Sequence, residues 1–409
     1  MKNDSYNFTN NSINPNHEDK KSQKHSHLPL IILALFLIIG LCLGYRMMQS
    51  DTSGIFSLPP NVIFSLRSTN GKVLNYDVPL VPNEYDDIFV LYQNLSDADK
   101  NVYNLFMDLV ENRSAEEYES AIVFSKDTLE KFGEDRLLWD IYYAMCYDHP
   151  EYFFLFTDTS AVDYRTLEMR NHIIYFIKIE VVDPSENEQI AAFEEAASDF
   201  LEDIDLTGTD EEIELAIHDK LIDVVTYDDP ILNDTDETWD LGHTAYGALV
   251  CDSEGRPNHA VCGGYSFAFE YLLHRAGIPC GYVTGAAHSI PSSEYDTDTH
   301  AWNAVQISGK WYEVDSTWND IAYDVSEDPQ FYNALLSDDE KVFNVCHHYY
   351  NRTTAEMQNL EATDDTLFCI EGYEPYNAVY DTSHIRAGLS DHESDQLDIF
   401  LNSLIPIAE

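Results

Sequence analysis

The chain runs to 409 residues and carries 74 acidic against 22 basic side chains, a net charge of −52. A field of that sign repels phosphate backbones and anionic lipid, which argues against nucleic-acid binding; a solvated acidic surface is the plainest reading of it. Hydrophobic residues at 44% and aromatics at 13% are ample for a packed core, with room for one large domain or two medium ones. The acidic residues are scattered rather than spaced as a calcium loop, so charge alone implies no metal site.

Residues 1–27 are polar and Asn-rich and read as a cytoplasmic tail. Leu28 to Tyr45 is an uncharged, almost wholly apolar run of bilayer-spanning length. Lys20, Lys21 and Lys24 precede it and Arg46 alone follows closely, so the positive-inside rule predicts a single-pass anchor over 28–46 with the catalytic part extracytoplasmic. A cleaved signal peptide is the competing reading, but the run is long and no small-x-small pattern follows it closely. Residues 47–85 carry Gly54, Pro59, Pro60, Pro79 and Pro82 around a short strand-like run, Val62 to Leu66, and read as a stalk.

An accessory α+β region is expected over 86–206. Ser96 suits an N-cap, with Val102, Leu105, Phe106 and Leu109 on one face of the helix it opens. A second helix is expected from about Ser125 into Tyr147, ended by the turn before Pro150. His172 to Val182 alternates like a strand, and a helix follows from Glu186 to Ile204. The core, 207–350, opens on a capping box of Thr209 and Glu212, with Ile213, Ile217, Leu221 and Val224 as the buried stripe. A C-terminal extension, 351–409, ends in a short helix from Gln396 to Leu404.

Seven cysteines are present, and no CxxC pair occurs, which argues against a structural zinc knuckle or a thioredoxin-like motif. A Cys251–Cys280 disulfide is one possibility outside the cytoplasm. Cys262 has a different setting. Tyr265, Ala268, Phe269, Leu272, Leu273 and Ala276 recur at helical spacing after it, and Gly277 suits the C-terminal cap. Cys262 thus opens a buried helix, where the dipole and backbone N–H groups stabilise negative charge on sulfur. Gly263 and Gly264 are read as letting a substrate backbone approach that end. A buried, inert cysteine is the equally common alternative on this observation alone.

Residues 299–318 break the tie. Two strand-like runs flank Ser308-Gly309, a dipeptide suited to a tight hairpin. If that pair is the loop, Ile307 faces Lys310, Trp302 faces Asp315 and His300 faces Thr317. His300 and Asp315 then share a face as diagonal neighbours, roughly 7–8 Å apart at the backbone. A slip by one residue would send them to opposite faces. In this register Asp315 can hold one ring nitrogen of His300 and leave the other for the thiol.

Five ordered blocks carry a resemblance: HDKLIDVVTYD (His218 to Asp228), HTAYGALV (His243 to Val250), AVCGGYSFAFEYLLHRAGIPC (Ala260 to Cys280), HAWNAV (His300 to Val305) and WYEVDSTWND (Trp311 to Asp320). Together they make the stretch from about Ile217 to Asp320 similar to the core of the transglutaminase-like superfamily, relatives of papain-type cysteine proteases. DHPEYFF (Asp148 to Phe154) and SDDEK (Ser337 to Lys341) resemble flanks of prokaryotic, membrane-bound members. The resemblance implies an α+β fold in which a helix bearing Cys262 packs on an antiparallel sheet. It implies Cys262 as nucleophile, His300 as base and acid and Asp315 as the orienting carboxylate. It also implies an upstream side chain as second oxyanion donor, for which Trp239, Tyr227 and Tyr246 are candidates, while Trp302 and Trp318 pack around the triad and Asn303 braces the hairpin.

The expected chemistry is acyl transfer from a peptide or protein amide through a thioester on Cys262, with no cofactor and no metal. Water as acceptor makes a cysteine protease or amidase of surface or cell-wall peptides, including peptidoglycan-linked ones; an amine as acceptor makes a cross-linking transglutaminase. A catalytically silent peptide- or wall-binding domain is the alternative from another class. A zinc enzyme lacks any HExxH or paired-cysteine motif, although His243, His259 and His288 lie in the same region.

Overall fold

The alternation that begins at His172 does form a strand, and among the described residues it becomes one of the two inner strands of the first of two four-stranded sheets. The computed structural model describes residues 60–66, 69–78, 87–115, 117–157, 161–181, 183–232, 240–287, 298–320, 343, 346–359, 384–389 and 395–409, all within the unit Thr52–Glu409. Among the described residues no helix is long and apolar enough to cross a membrane. The expected anchor over 28–46 and the Ser337–Lys341 segment lie outside them.

Val62 to Leu66, read as strand-like, instead continues from Pro60 as a short helix, Pro60–Ser65, with Leu66 in a closing turn. Pro60 suits the first helical position, and Val62 and Leu66 bury one turn apart against Ala121, Val123, Ile174 and Phe176. Strand β1 (Val73–Asn75) follows, so the stretch expected as a stalk contributes to the first sheet. Helix α1 (Asp97–Glu111) is capped by Ser96, whose side chain accepts from the Asp99 N–H, and buries the expected stripe. The single helix expected over Ser125 to Tyr147 is divided. Strand β2 (Ser120–Ser125) comes first, a short helix ends at Gly133 in a conformation with φ +84°, and α2 (Trp139–Asp148) follows. Only glycine takes that backbone angle readily, which is why the helical pattern breaks there. With β3 (Val162–Glu168) and β4 (His172–Ile179) the sheet order is β1-β2-β4-β3, parallel at β1–β2 and antiparallel elsewhere.

Helix α3 (Glu186–Glu202) leads to α4 (Asp210–Val224), where both halves of the Thr209–Glu212 capping box are made. Val224 is exposed rather than buried, because the helix ends on it. A parallel pair, β5 (Thr226–Tyr227) and β6 (His259–Ala260), flanks α5 (Ala245–Leu249) in sequence and delivers the chain to α6 (Cys262–Ala276). Gly277 ends α6 in the left-handed region, as its position in the sequence suggests.

The second sheet holds β7 (Cys280–Ala287), β8 (Asp298–Ile307), β9 (Lys310–Val314) and β10 (His384–Arg386) in the order β10-β7-β8-β9, all antiparallel. Short helices α7 (Ser316–Asn319) and α8 (Gln396–Ser403) complete this half. One hydrophobic cluster takes in side chains from Leu74 to Ile405, so the regions drawn on either side of residue 206 share a core.

Within α6, Glu270 is wholly buried and neither carboxylate oxygen has a hydrogen-bond partner. His274 Nε2 stands 3.9 Å away but donates instead to the Cys280 carbonyl at 2.9 Å. Burial, with Asp148 and Glu151 nearby, pushes the Glu270 carboxyl well above its usual range. The ionisation of a group raised on folding costs nothing below the unfolded carboxyl value, about 4.3, and costs progressively more as pH rises toward the folded value. Glu270→Leu is therefore expected to stabilise the fold by about 1–3 kcal/mol at neutral pH. Thermal unfolding of the two proteins should nearly coincide near pH 4 and diverge upward; a constant or shrinking difference would contradict this.

Candidate active site

Cys262 is the first residue of α6, directly after the N-cap Val261. The first bond of the helix runs from the Tyr265 N–H to the Val261 carbonyl, so the N–H groups of Cys262, Gly263 and Gly264 have no partner within the helix. The paired glycines serve a different purpose from the one expected. A Cβ on Gly264 would lie 2.5 Å from the Gly242 carbonyl oxygen, and one on Gly263 would lie 3.0 Å from that of His243. The backbone that approaches so closely is the chain's own, from the turn entering α5.

Ser308 and Gly309 both have positive φ, 52° and 78°, as a two-residue hairpin loop of this hand requires. The pairing runs from Ile307–Lys310 to Asn303–Val314, in the expected register. Asp315 lies one residue past β9 and caps α7: its Oδ1 accepts from the Trp318 N–H at 3.0 Å. Its Oδ2 accepts from His300 Nε2 at 2.7 Å. The other nitrogen of His300 is left for the Cys262 side chain, whose interaction with the ring favours the imidazolium. Cys262 is partly exposed and unoxidised, so the sulfur is not locked in a disulfide.

Burial alone would lower the basicity of His300, but the Asp315 carboxylate, helped by the bond to Cys262, reverses this and pushes the imidazolium up to about 10. Burial would likewise raise Asp315, yet His300 first and then His384 hold its carboxyl well below the usual range.

Trp302 is buried, stacks at 6.1 Å from His300 and donates Nε1–H to Glu313 Oε2 at 2.6 Å. Trp318 packs 5.3 Å from His300. Asn303, expected to brace the hairpin, instead donates Nδ2–H to the Ser266 carbonyl at 3.0 Å and ties β8 to α6. Tyr246 is buried against Phe153, and burial first, then Cys251, raises its hydroxyl above the usual tyrosine range. Tyr227 lies on β5 with its ring 6.3 Å from that of Tyr265, and Trp239 is outside the described residues. Cys251 and Cys280 are both free thiols, so the suggested disulfide does not form.

Sequence reasoning missed His384. Its Nε2 donates to the same Asp315 Oδ2 at 2.7 Å from 69 positions further along. No local pattern could have found it, because only β10 pairing with β7 brings it there.

Two groups of described residues gather metal-ligating atoms: His300, Asp315 and His384, and His218, Asp219 and His347. In the first, both Nε2 atoms make hydrogen bonds to one oxygen. In the second, the Tyr349 N–H fixes Asn319 Oδ1 as an acceptor, so Asn319 Nδ2 donates to His218 Nε2 at 3.0 Å. His218 Nδ1 must then carry the ring proton and give it to Asp219 Oδ1 at 3.0 Å. That ring has no lone pair left for a cation. The network ends beside the site, since the Asp315 N–H donates to the Tyr349 carbonyl.

Human kyphoscoliosis peptidase is 41% identical over 67 residues, which is 15% of this chain and 10% of that protein. The mouse kyphoscoliosis peptidase is 39% identical over the same length, so the chain spans about a tenth of these curated relatives. Among solved structures, a TGase aligns with a TM-score of 0.24 and 14% identity, covering 49% of this chain and 51% of that one. Red sea bream transglutaminase aligns with a TM-score of 0.20 and 10% identity over 39% and 42% of the two chains. Residues 199–316 match the description Transglutaminase-like superfamily. That stretch, which holds Cys262, His300 and Asp315, is a transglutaminase-like domain.

Proposed function

We propose that the chain is a thiol enzyme that hydrolyses amide bonds of peptides or proteins, with Cys262 as nucleophile, His300 as base and acid, and Asp315 as the carboxylate that orients His300. One observation carries this reading: a partly exposed cysteine at a helix N-terminus interacts with an imidazole that a buried carboxylate holds by one ring nitrogen at 2.7 Å.

In the proposed reaction His300 takes the thiol proton and the Cys262 sulfur attacks the amide carbonyl. The oxygen that becomes negative lies toward the start of α6, where the Cys262 N–H is available to it. Collapse expels the amine, which takes the proton back from His300 and leaves a thioester on Cys262. Water, deprotonated by the same imidazole, then releases the acid. The apolar run from Leu28 to Tyr45 would hold the enzyme on a membrane with this site outside the cytoplasm, which makes surface and cell-wall peptides the substrates of choice.

Two measurements test the proposal. At neutral pH, iodoacetamide should modify Cys262 ahead of Cys146, Cys251 and Cys280, whose thiols burial pushes upward. Casein incubated with the protein and monodansylcadaverine should yield new cleaved ends by mass spectrometry, and Cys262→Ala should yield none. Incorporation of the amine without cleavage would assign transamidation instead. Equal labelling of all four thiols, with no change to casein, would point to a silent binding domain.

A further inference from the structure

Strand β10 pairs with β7, yet its side chains reach Glu313 on β9, at the far edge of the sheet, and Asp315 just past it. Of the two strands between, β7 makes this possible. β7 places Ala287 opposite His384 and Gly285 opposite Arg386, and a Cβ on Gly285 would lie 2.1 Å from the Ile385 carbonyl oxygen and 2.7 Å from the Trp302 ring. Small residues there leave a trough that two long side chains cross in step. His384 reaches Asp315 at 2.7 Å, and Arg386 Nε reaches Glu313 Oε1 at 2.9 Å.

Asp315 does not need His384 to stay in place. Its backbone N–H is bonded to the Tyr349 carbonyl and its Oδ1 to the Trp318 N–H, each at 3.0 Å. What His384 changes is the oxygen itself, because Oδ2 now serves two imidazole N–H groups. We infer that His384 is a positioning residue for the proposed reaction: by donating to the oxygen that His300 uses, it limits how firmly Asp315 holds the proton on the catalytic ring. This rests on Cys262, His300 and Asp315 being the reacting group. The chemistry needs such a limit, since His300 must accept the thiol proton and then surrender it to the leaving amine. A ring facing an undivided carboxylate is a strong base and a poor acid.

The other groups facing this cluster are the Cys262 thiol on α6, His218 on α4, Glu313 on β9, Arg386 on β10, and His348 with Arg352 beside His384. All of them are retained in the variants that test the inference. The full chain, labelled with 13C-histidine, is titrated by NMR as wild type, His384→Leu and His384→Gln, with the His300 signal assigned through His300→Gln. In His384→Leu the His300 midpoint should rise by at least about half a pH unit. In His384→Gln, whose amide N–H reaches the place of Nε2, it should stay within a few tenths of wild type.

Should His384→Leu fail to fold by circular dichroism, His384→Asn replaces it. That shorter amide falls short of Asp315, and the same rise is expected. A midpoint that falls, stays put, or moves equally with Leu and Gln would overturn the inference while leaving the proposed function standing. A wild-type His300 with an ordinary imidazole midpoint, together with sluggish iodoacetamide labelling of Cys262, would overturn both.

Discussion

Asp315→Asn is expected to lower Cys262-dependent cleavage of casein about 10⁴-fold at neutral pH, the scale seen when an orienting carboxylate becomes an amide. The reason lies in the three groups that donate to this side chain. Oδ2 accepts from His300 and His384, and Oδ1 accepts from the Trp318 N–H. An asparagine has one acceptor and one donor. With its NH₂ toward the histidines, it opposes two ring N–H groups. With its NH₂ toward α7, it opposes a backbone N–H that has no freedom to turn. Neither orientation satisfies the site, so either His300 takes the wrong tautomer or the cap of α7 is lost. Circular dichroism separates those two outcomes. Activity within tenfold of wild type in a folded variant would show that Asp315 does not orient the catalytic ring.

Arg386→Met is expected to destabilise the fold by about 3–5 kcal/mol, the largest effect on stability foreseen here. Both side chains of the Arg386–Glu313 pair are almost wholly buried. Glu313 accepts from Arg386 Nε and the Thr354 hydroxyl on one oxygen and from Trp302 Nε1 on the other. Removing the cation leaves a buried carboxylate with hydrogen bonds but no counter-charge. Arg386 Nη1 also donates to the carbonyls of Ile405 and Pro406, so the same substitution loosens the C-terminal end of the described chain. Urea denaturation should show the loss in the single variant. Most of it should return in the double variant Glu313→Met/Arg386→Met, which removes both charges together. A single variant as stable as wild type would mean that the pair contributes little. Trp302 links this pair to the candidate site, since its N–H lies on Glu313 and its ring stacks on His300.

The readings that held were those in which one short segment contains its own cause. The Thr209–Glu212 box, the Ser96 cap, the buried face after Cys262 and the Ser308-Gly309 loop each involve groups a few residues apart. The hairpin was legible for the same reason, because a two-residue loop sets the register of both strands and so the face on which His300 and Asp315 meet. Gly133 shows where such reasoning slips: the apolar spacing continues across it, but its positive φ ends the helix. Pro60–Ser65 shows the converse, since a short apolar run has no period long enough to separate helix from strand.

The amino-acid order by itself determined the helix that Cys262 opens, the hairpin and the three residue types of the candidate site, because helical and strand periods act over neighbouring residues. Tertiary structure alone decided that Gly263 and Gly264 accommodate the chain's own backbone, and that two long side chains from β10 cross β7 to Asp315 and Glu313. Those contacts join segments separated by tens of residues. Their formation depends on the shape of the packed sheet, which no local pattern encodes.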